Sequence, residues 1–325
     1  MSKTALIVVN FGGPRNLLEI PSFLRSLLTD EDVIRTHLPR FLEKKLFERI
    51  ARKRAPVIAH DYEKIGGGSP IYEDTNWFFA ELSQQLDLPG RAFHRYLDAT
   101  HPSFIEEIEK MEGFEFLVFP LFPQFCYATT GSIARWFSRY LKKDIVSSMH
   151  WIRSYGAHKA YLTSFTACLQ EFLQEKGILE SEAFLLFSAH GVPVQFICQG
   201  DLYKQECEAS FFLLSQRFPK ATCFLSYQSK FGRGKWLEPS TQKICQSPKD
   251  FIGDKKHVVL IPLTFTSDHI ETLFEIEGYA SLVRSQGIQA HRCPALGRRT
   301  DWVLAAKTIL QEGCFVSNQE LIRRR

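Results

Sequence analysis

At 325 residues the chain exceeds what one hydrophobic core usually organises, so two domains of about 150 residues each are expected. Hydrophobic residues make up 45% and charged residues 23%, and a net charge of +4 without a nucleic-acid motif excludes a polyanion binder, so no nucleic-acid partner is expected. The 28 phenylalanines against 3 methionines are enough to line a large flat pocket with rings.

The first predicted strand, Ala5 to Val9, ends in Asn10, Phe11, Gly12, Gly13 and Pro14. This glycine turn lacks the GxGxxG spacing of a dinucleotide site and reads as a close backbone approach to a ligand or neighbour. The N-terminal stretch carries no secretory pattern, so the chain is expected in the cytoplasm. From Pro21 to about Ala51 the pattern is helical, broken at Pro39. Leu42, Leu46 and Ile50 recur on one face, with Arg40, Lys44, Lys45 and Arg49 around them, and the run continues as Arg52, Lys53 and Arg54. Such a segment can be a solvated face, a surface in transient contact with acidic lipid, or a rim that meets a carboxylate-bearing substrate. Tyr62 and the stretch Ile65, Gly66, Gly67, Gly68, Ser69, Pro70 follow. Three adjacent glycines fit a sharp turn and a ligand wall equally well.

A helix from Asp74 to Leu86, a strand from Ala92 to Tyr96, a helix from Ser103 to Met111 and a strand from Phe116 to Leu121 continue an α/β alternation. The uncharged run from Phe116 to Ala134 is interrupted by Pro120, Pro123 and Gly131, which makes it a strand, a loop and a helix start rather than a membrane span. A fourth strand is expected at Ile145 to Met149 and a domain boundary near Trp151, dividing the chain into 1–150 and 151–325, with the last helix free to pack on either half.

The second half repeats the plan. Predicted strands are Phe184 to Ser188, Thr222 to Ser226, Val258 to Leu263 and Ile288 to Arg292, with helices at Asp201 to Arg217, from about Asp268, and at Asp301 to Glu312. The fold class is α/β, two Rossmann-like domains, each a parallel sheet flanked by helices, with the active-site cleft between them.

Three stretches carry chemistry at predicted strand ends, where ligands of open parallel sheets bind. In Ser188 to Pro193, His190 sits where a strand stops, with Gly191 permitting a turn or a close ligand. In Pro262 to Glu277, Asp268, His269 and Glu271 fall on the same side as His190, and Glu271 and Glu275 share a helical face four residues apart. Paired acids there fit a cation or proton path, although Asp268 three residues before Glu271 is also a capping-box pattern in which Glu271 binds backbone. In Tyr227 to Pro239, Lys230, Arg233, Lys235 and Trp236 suit an anionic aromatic ligand, as they suit an ordinary surface loop. Eight cysteines without a CxxC pair read as reduced thiols.

The set NFGGP (Asn10 to Pro14), IGGGSPI (Ile65 to Ile71), FPQFCYATTGS (Phe122 to Ser132), SAHGVP (Ser188 to Pro193), YQSKFGRGKWLEP (Tyr227 to Pro239) and SDHIETLFEIE (Ser267 to Glu277) resembles the ferrochelatase family, in its order and over almost the whole chain. The resemblance implies a lyase that inserts Fe(II) into protoporphyrin IX, the last step of haem synthesis, with porphyrin and ferrous iron as its partners and no permanently bound cofactor. It also implies catalytic roles for His190 and Glu271, metal handling by His190, Glu271 and Glu275, and porphyrin contacts at Arg54, Tyr62 and Ser69, to which Phe11 and Trp236 are added as rings in matching motifs. The chain departs from many relatives at Phe122, Phe125 and Cys126, where a hydroxyl role is lost, and at Tyr279, where a third acid often stands. Only Cys314 lies in the tail, so no [2Fe-2S] cluster is expected. The resemblance leaves open a chelatase for another tetrapyrrole, such as coproporphyrin III or a cobalt-accepting precursor. A non-catalytic tetrapyrrole-binding protein is the third reading, and the oligomeric state is undetermined.

Overall fold

The computed structural model describes residues 3–34, 39–230 and 234–323. Its strands are β1 (Lys3–Asn10), β2 (Gly90–His94), β3 (Phe114–Pro120), β4 (Met149–Ile152), β5 (Ala183–His190), β6 (Thr222–Gln228), β7 (His257–Pro262), β8 (Gln289–Arg292) and β9 (Phe315–Ser317). By their contacts the residues fall into two units, Met1–Ser154 with Ala306–Arg325, and Tyr155–Ala305.

In the first unit the sheet order is β2-β1-β3-β4-β9. Ala5 to Val9 are fully buried, as the unbroken apolar run requires of a central parallel strand covered on both faces. β1 runs parallel to β2 and β3, β3 parallel to β4, and the short β9 joins the edge antiparallel, pairing Trp151 with Val316. Part of the phenylalanine load goes into this core: Phe93, Phe104, Phe116, Phe125 and Phe137 are buried in one cluster. Phe93 lies 4.7 Å, centroid to centroid, from both Phe104 and Trp136, and Phe137 packs on Trp151 at 5.6 Å. Phe125, from the aromatic loop after β3, is buried in the same cluster, and the Cys126 thiol accepts from the Ala128 N–H at 3.4 Å, a capping role.

Two expectations for this unit are corrected. Lys143–Ser147 is a short helix, and the strand expected at Ile145 to Met149 begins only at Met149. The Ser147 and Ser148 hydroxyls donate to the carbonyls of Asp144 and Ile145, the local bonding by which serine competes with a strand ladder. The basic helix runs from Arg40 to Glu63, through Pro56, and buries Phe47, Ala51 and Ala55. The helix expected to end near Ala51 thus continues to Glu63, and Leu42 and Leu46 are exposed along with Phe41 and Val57. Among the described residues no helix is long and apolar enough to cross a membrane.

The second unit has an all-parallel sheet in the order β6-β5-β7-β8. Phe184, Leu186, Val258 and Leu260 pack on Ile276, Ala280 and Val283 of the helical stretch that follows β7. The two sheets share more than strand order. Leu121 N–H donates to the Val9 carbonyl at 2.9 Å, and Leu263 N–H to the Ser188 carbonyl at 3.0 Å. The residue two positions after each acceptor is Phe11 in the first unit and His190 in the second. The same place in the topology therefore carries a ring in one unit and an imidazole in the other.

Candidate active site

His190 is the last residue of β5, and its backbone is held from both sides. Its N–H donates to Thr264 Oγ1 at 3.1 Å, just past β7, and its carbonyl accepts from the Tyr203 hydroxyl at 2.8 Å. Beneath it, Ser188 Oγ bonds Gln228 Oε1 at 2.7 Å and Thr241 Oγ1 at 2.9 Å, which ties β5 to β6 inside the core. The imidazole itself is 36% exposed. A strand end fixed this way presents a side chain without letting its backbone drift.

Gly191 is required by a close approach. A Cβ built there would stand 2.5 Å from the Gln228 carbonyl oxygen, far inside contact distance, and 3.4 Å from the Trp236 ring. The following residues pair with the loop that carries Trp236: Val194 N–H donates to Lys235 O at 2.9 Å and Leu237 N–H to Val192 O at 3.1 Å. Trp236, half-buried, is thereby placed beside the His190 turn. Phe231, Gly232 and Arg233 of the same motif lie outside the described residues.

Glu271 opens the next element, and here the expected regular α-helix is corrected. Glu271–Ile276 is a π-type turn that becomes α-helical at Glu277–Arg284. Turns of this kind are often found at functional sites, and the i→i+5 spacing turns Glu275 away from the position an α-helix would give it. Nor is Glu271 a capping residue. Asp268 Oδ1 instead accepts from Thr272 Oγ1 at 2.7 Å and from Arg292 Nη1 at 2.9 Å, and Thr272 Oγ1 accepts from the His269 N–H at 3.0 Å. With the turn capped by others, Glu271 Oε2 is buried and without a hydrogen-bond partner. It lies 3.5 Å from His190 Nε2 and 4.0 Å from His269 Nε2, beyond good hydrogen-bond length but within ion-pair reach of both rings. Among the described residues no three His, Cys, Asp or Glu side chains form a group that could hold a metal ion.

Glu275 is not open in the same sense. Its carboxylate accepts from Ser229 N–H at 3.0 Å, Ser229 Oγ at 2.5 Å and Tyr279 OH at 2.7 Å.

In the first unit, Phe11 is half-buried and meets Tyr96 edge to face at 4.5 Å. The glycine run closes against the same loop: Ser69 N–H donates to Pro14 O at 2.8 Å, and a Cβ at Gly68 would stand 2.4 Å from Arg15 O. Gly66 and Gly67 have φ of +100° and +86°, so the stretch is a turn as well as a close approach. Ser69 is buried with an unpartnered hydroxyl, Tyr62 is only 2% exposed, and Arg54 is half-buried on the Arg40–Glu63 helix. The Tyr62 carbonyl supports the turn, accepting from the Ile65 N–H at 3.0 Å and the Gly67 N–H at 2.8 Å. Nearby, burial holds His94 down to about 3, so that ring is neutral, with its Nδ1 unpartnered.

Sequence reasoning placed His269 on the right side of the sheet but outside the site, and missed Thr264, Tyr203, Ser229 and Tyr279 as partners. Thr264 and Tyr203 act through backbone contacts made 74 and 13 residues from His190, which leave no local pattern.

A sequence model of the ferrochelatase family matches residues 3–313. The ferrochelatase of Chlamydia caviae is 44% identical over 321 residues, 98% of this chain and 99% of that protein. That of Chlamydia pneumoniae is 42% identical over 324 residues, 99% of this chain and 97% of that protein. Among solved structures, CbiX, described as the terminal enzyme of siroheme biosynthesis in denitrifying bacteria, superposes with a TM-score of 0.56 at 11% identity, covering 95% of this chain and 99% of that one. SirB from Bacillus subtilis with Fe3+ gives 0.54 at 13% identity, covering 95% of each chain. The structural likenesses bear on the fold alone, whereas the sequence match runs nearly end to end: the chain belongs to the ferrochelatase family.

Proposed function

We propose that this chain is a lyase that inserts Fe(II) into protoporphyrin IX, giving protohaem and two protons, and that His190 and Glu271 carry the chemistry. The observation that carries the site assignment is the buried, unpartnered Glu271 Oε2 facing the His190 and His269 imidazoles. A buried carboxylate oxygen left unpaired is unfavourable unless a proton or a cation completes it. Metallation supplies both: two pyrrole N–H protons leave as Fe(II) enters. A neutral imidazole can accept a pyrrole proton, and imidazole with carboxylate suits a divalent first-row ion. His190, the more exposed partner, takes the proton, and Glu271 stabilises the imidazolium or the incoming ion by charge. The porphyrin contacts follow the same reading. Arg54 meets a propionate by charge, Phe11 and Trp236 offer half-buried rings, and Ser69 with Tyr62 shapes the glycine turn. Cytoplasmic residence fits eight cysteines that are all free thiols.

The test is anaerobic incubation with Fe(II) and either protoporphyrin IX or coproporphyrin III, followed by metalloporphyrin absorbance. Insertion into protoporphyrin is expected. Insertion into coproporphyrin alone would keep the chelatase and overturn the substrate; failure with both would overturn the reading.

A second expected result concerns Gly191. Gly191→Ala forces Cβ against the Gln228 carbonyl and displaces the turn that aims His190. It should lower stability by about 1–3 kcal/mol in urea unfolding and slow insertion by about 100-fold, whereas a stable, fully active variant would show that the strand end tolerates movement.

A further inference from the structure

Glu275 is engaged by more donors than a carboxylate that hands over iron could spare. Ser229 N–H and Tyr279 OH both donate to Oε1, and Ser229 Oγ donates to Oε2. Three of roughly four lone-pair positions are filled. The donors come from two directions. Ser229 follows β6 directly, next to Gln228, which pairs in register with His190. Tyr279 lies one turn beyond Glu275, on the helix that continues from Glu271.

The backbone at Ser229 is also unusual. Its φ of +62° is a left-handed conformation that among the described non-glycine residues is shared only by Asp87, at a helix end. A serine held there keeps both its N–H and its hydroxyl on one carboxylate, an arrangement that strained residues at functional sites often serve.

Building on the chelatase reading, we infer that Ser229 and Tyr279 are positioning residues that clamp Glu275 as a brace between the strand beside His190 and the turn bearing Glu271, so that Glu275 holds their 3.5 Å spacing instead of carrying metal. The brace crosses the end of β5, because β6 and β7 flank that strand on opposite sides. The Tyr279 hydroxyl closes the outer side of Glu275 with a donor.

The test uses the full-length protein with Tyr279→Phe, Ser229→Gly, Glu275→Gln and the double variant Tyr279→Phe/Glu275→Gln. Glycine at 229 keeps the left-handed backbone and removes only the hydroxyl. At saturating porphyrin, each single variant should lower kcat about 5- to 10-fold with KM for Fe(II) within about twofold of wild type. The double variant should be no slower than Glu275→Gln alone, since both changes break one brace. Wild-type kcat in Tyr279→Phe and Ser229→Gly, with a fivefold or larger rise in KM for Fe(II) in Glu275→Gln, would overturn the inference and make Glu275 a metal carrier. A second readout does not depend on turnover: in histidine-labelled protein without metal or porphyrin, the His190 ring resonances at fixed pH should move in both Tyr279→Phe and Ser229→Gly. Unmoved resonances in both would overturn the brace even if the protein inserted no metal, and absent wild-type turnover with moved resonances would overturn the activity and leave the brace standing.

Discussion

Replacing His190 with alanine is expected to slow Fe(II) insertion by about 100- to 10,000-fold, the range over which a positioned acid–base group acts. The loss should fall on the chemical step. The imidazole is 36% exposed and its backbone is held by Thr264 and Tyr203, neither of which depends on the ring. Stability should therefore change by no more than about 0.5 kcal/mol, as for a surface substitution. Porphyrin affinity, followed by quenching of porphyrin fluorescence, should stay within a few-fold. Glu271→Gln should behave similarly, because the amide keeps the size and loses the charge facing the two imidazoles. His269 lies 4.0 Å from the same oxygen and is only 12% exposed, so it cannot substitute fully for the more accessible ring. Rates within tenfold of wild type for both variants would remove His190 and Glu271 from the chemistry.

Asp30→Ala should be the most destabilising of the proposed single changes, by about 3–5 kcal/mol, because it strands a buried cation and two hydroxyls. Asp30 is 3% exposed, and its Oδ2 accepts from Arg95 Nη2 at 2.6 Å, Tyr96 OH at 2.9 Å and Ser132 Oγ at 2.5 Å. Its Oδ1 accepts from the Asp32 N–H at 2.9 Å, and Asp32 in turn takes Arg135 through both carboxylate oxygens. The loop after the Ile20–Leu28 helix is thereby fastened to the carboxyl end of β2 and to the helix Ser132–Tyr140. Removing the hub leaves Arg95, 14% exposed, without its carboxylate. The measurement is the urea midpoint of Asp30→Ala against Asp30→Asn, which keeps an acceptor and should lose less. Equal midpoints for Asp30→Ala and wild type would mean that solvent satisfies the three donors, and that the hub is not a fastening point.

How far the sequence carries is visible at particular residues. The unbroken apolar runs of β1, β5 and β7 could belong only to strands covered on both faces, and their alternation with helices implies parallel sheets. The six ordered motifs, His190 at a strand end among them, were enough to identify the family. Those are local or one-dimensional signals. Ile145 escaped because a strand and a short helix bury one isoleucine equally well, and the serine back-bonds that decide between them depend on geometry. Periodicity placed Leu42 and Leu46 on one face without saying which face meets a neighbour; Phe47, Ala51 and Ala55 do.

By itself the sequence determined the α/β alternation and the family, and it put His190 and Glu271 past the ends of predicted strands. Tertiary structure alone decided what surrounds them. The π-type turn at Glu271–Ile276, the unpartnered Glu271 Oε2 and the three donors on Glu275, two of them from Ser229 46 residues away, emerge only in the folded chain, where hydrogen bonds compete for the same few carboxylate oxygens. Spacing along the chain cannot decide that competition, because it turns on distances of a few tenths of an ångström set by how strands and helices pack.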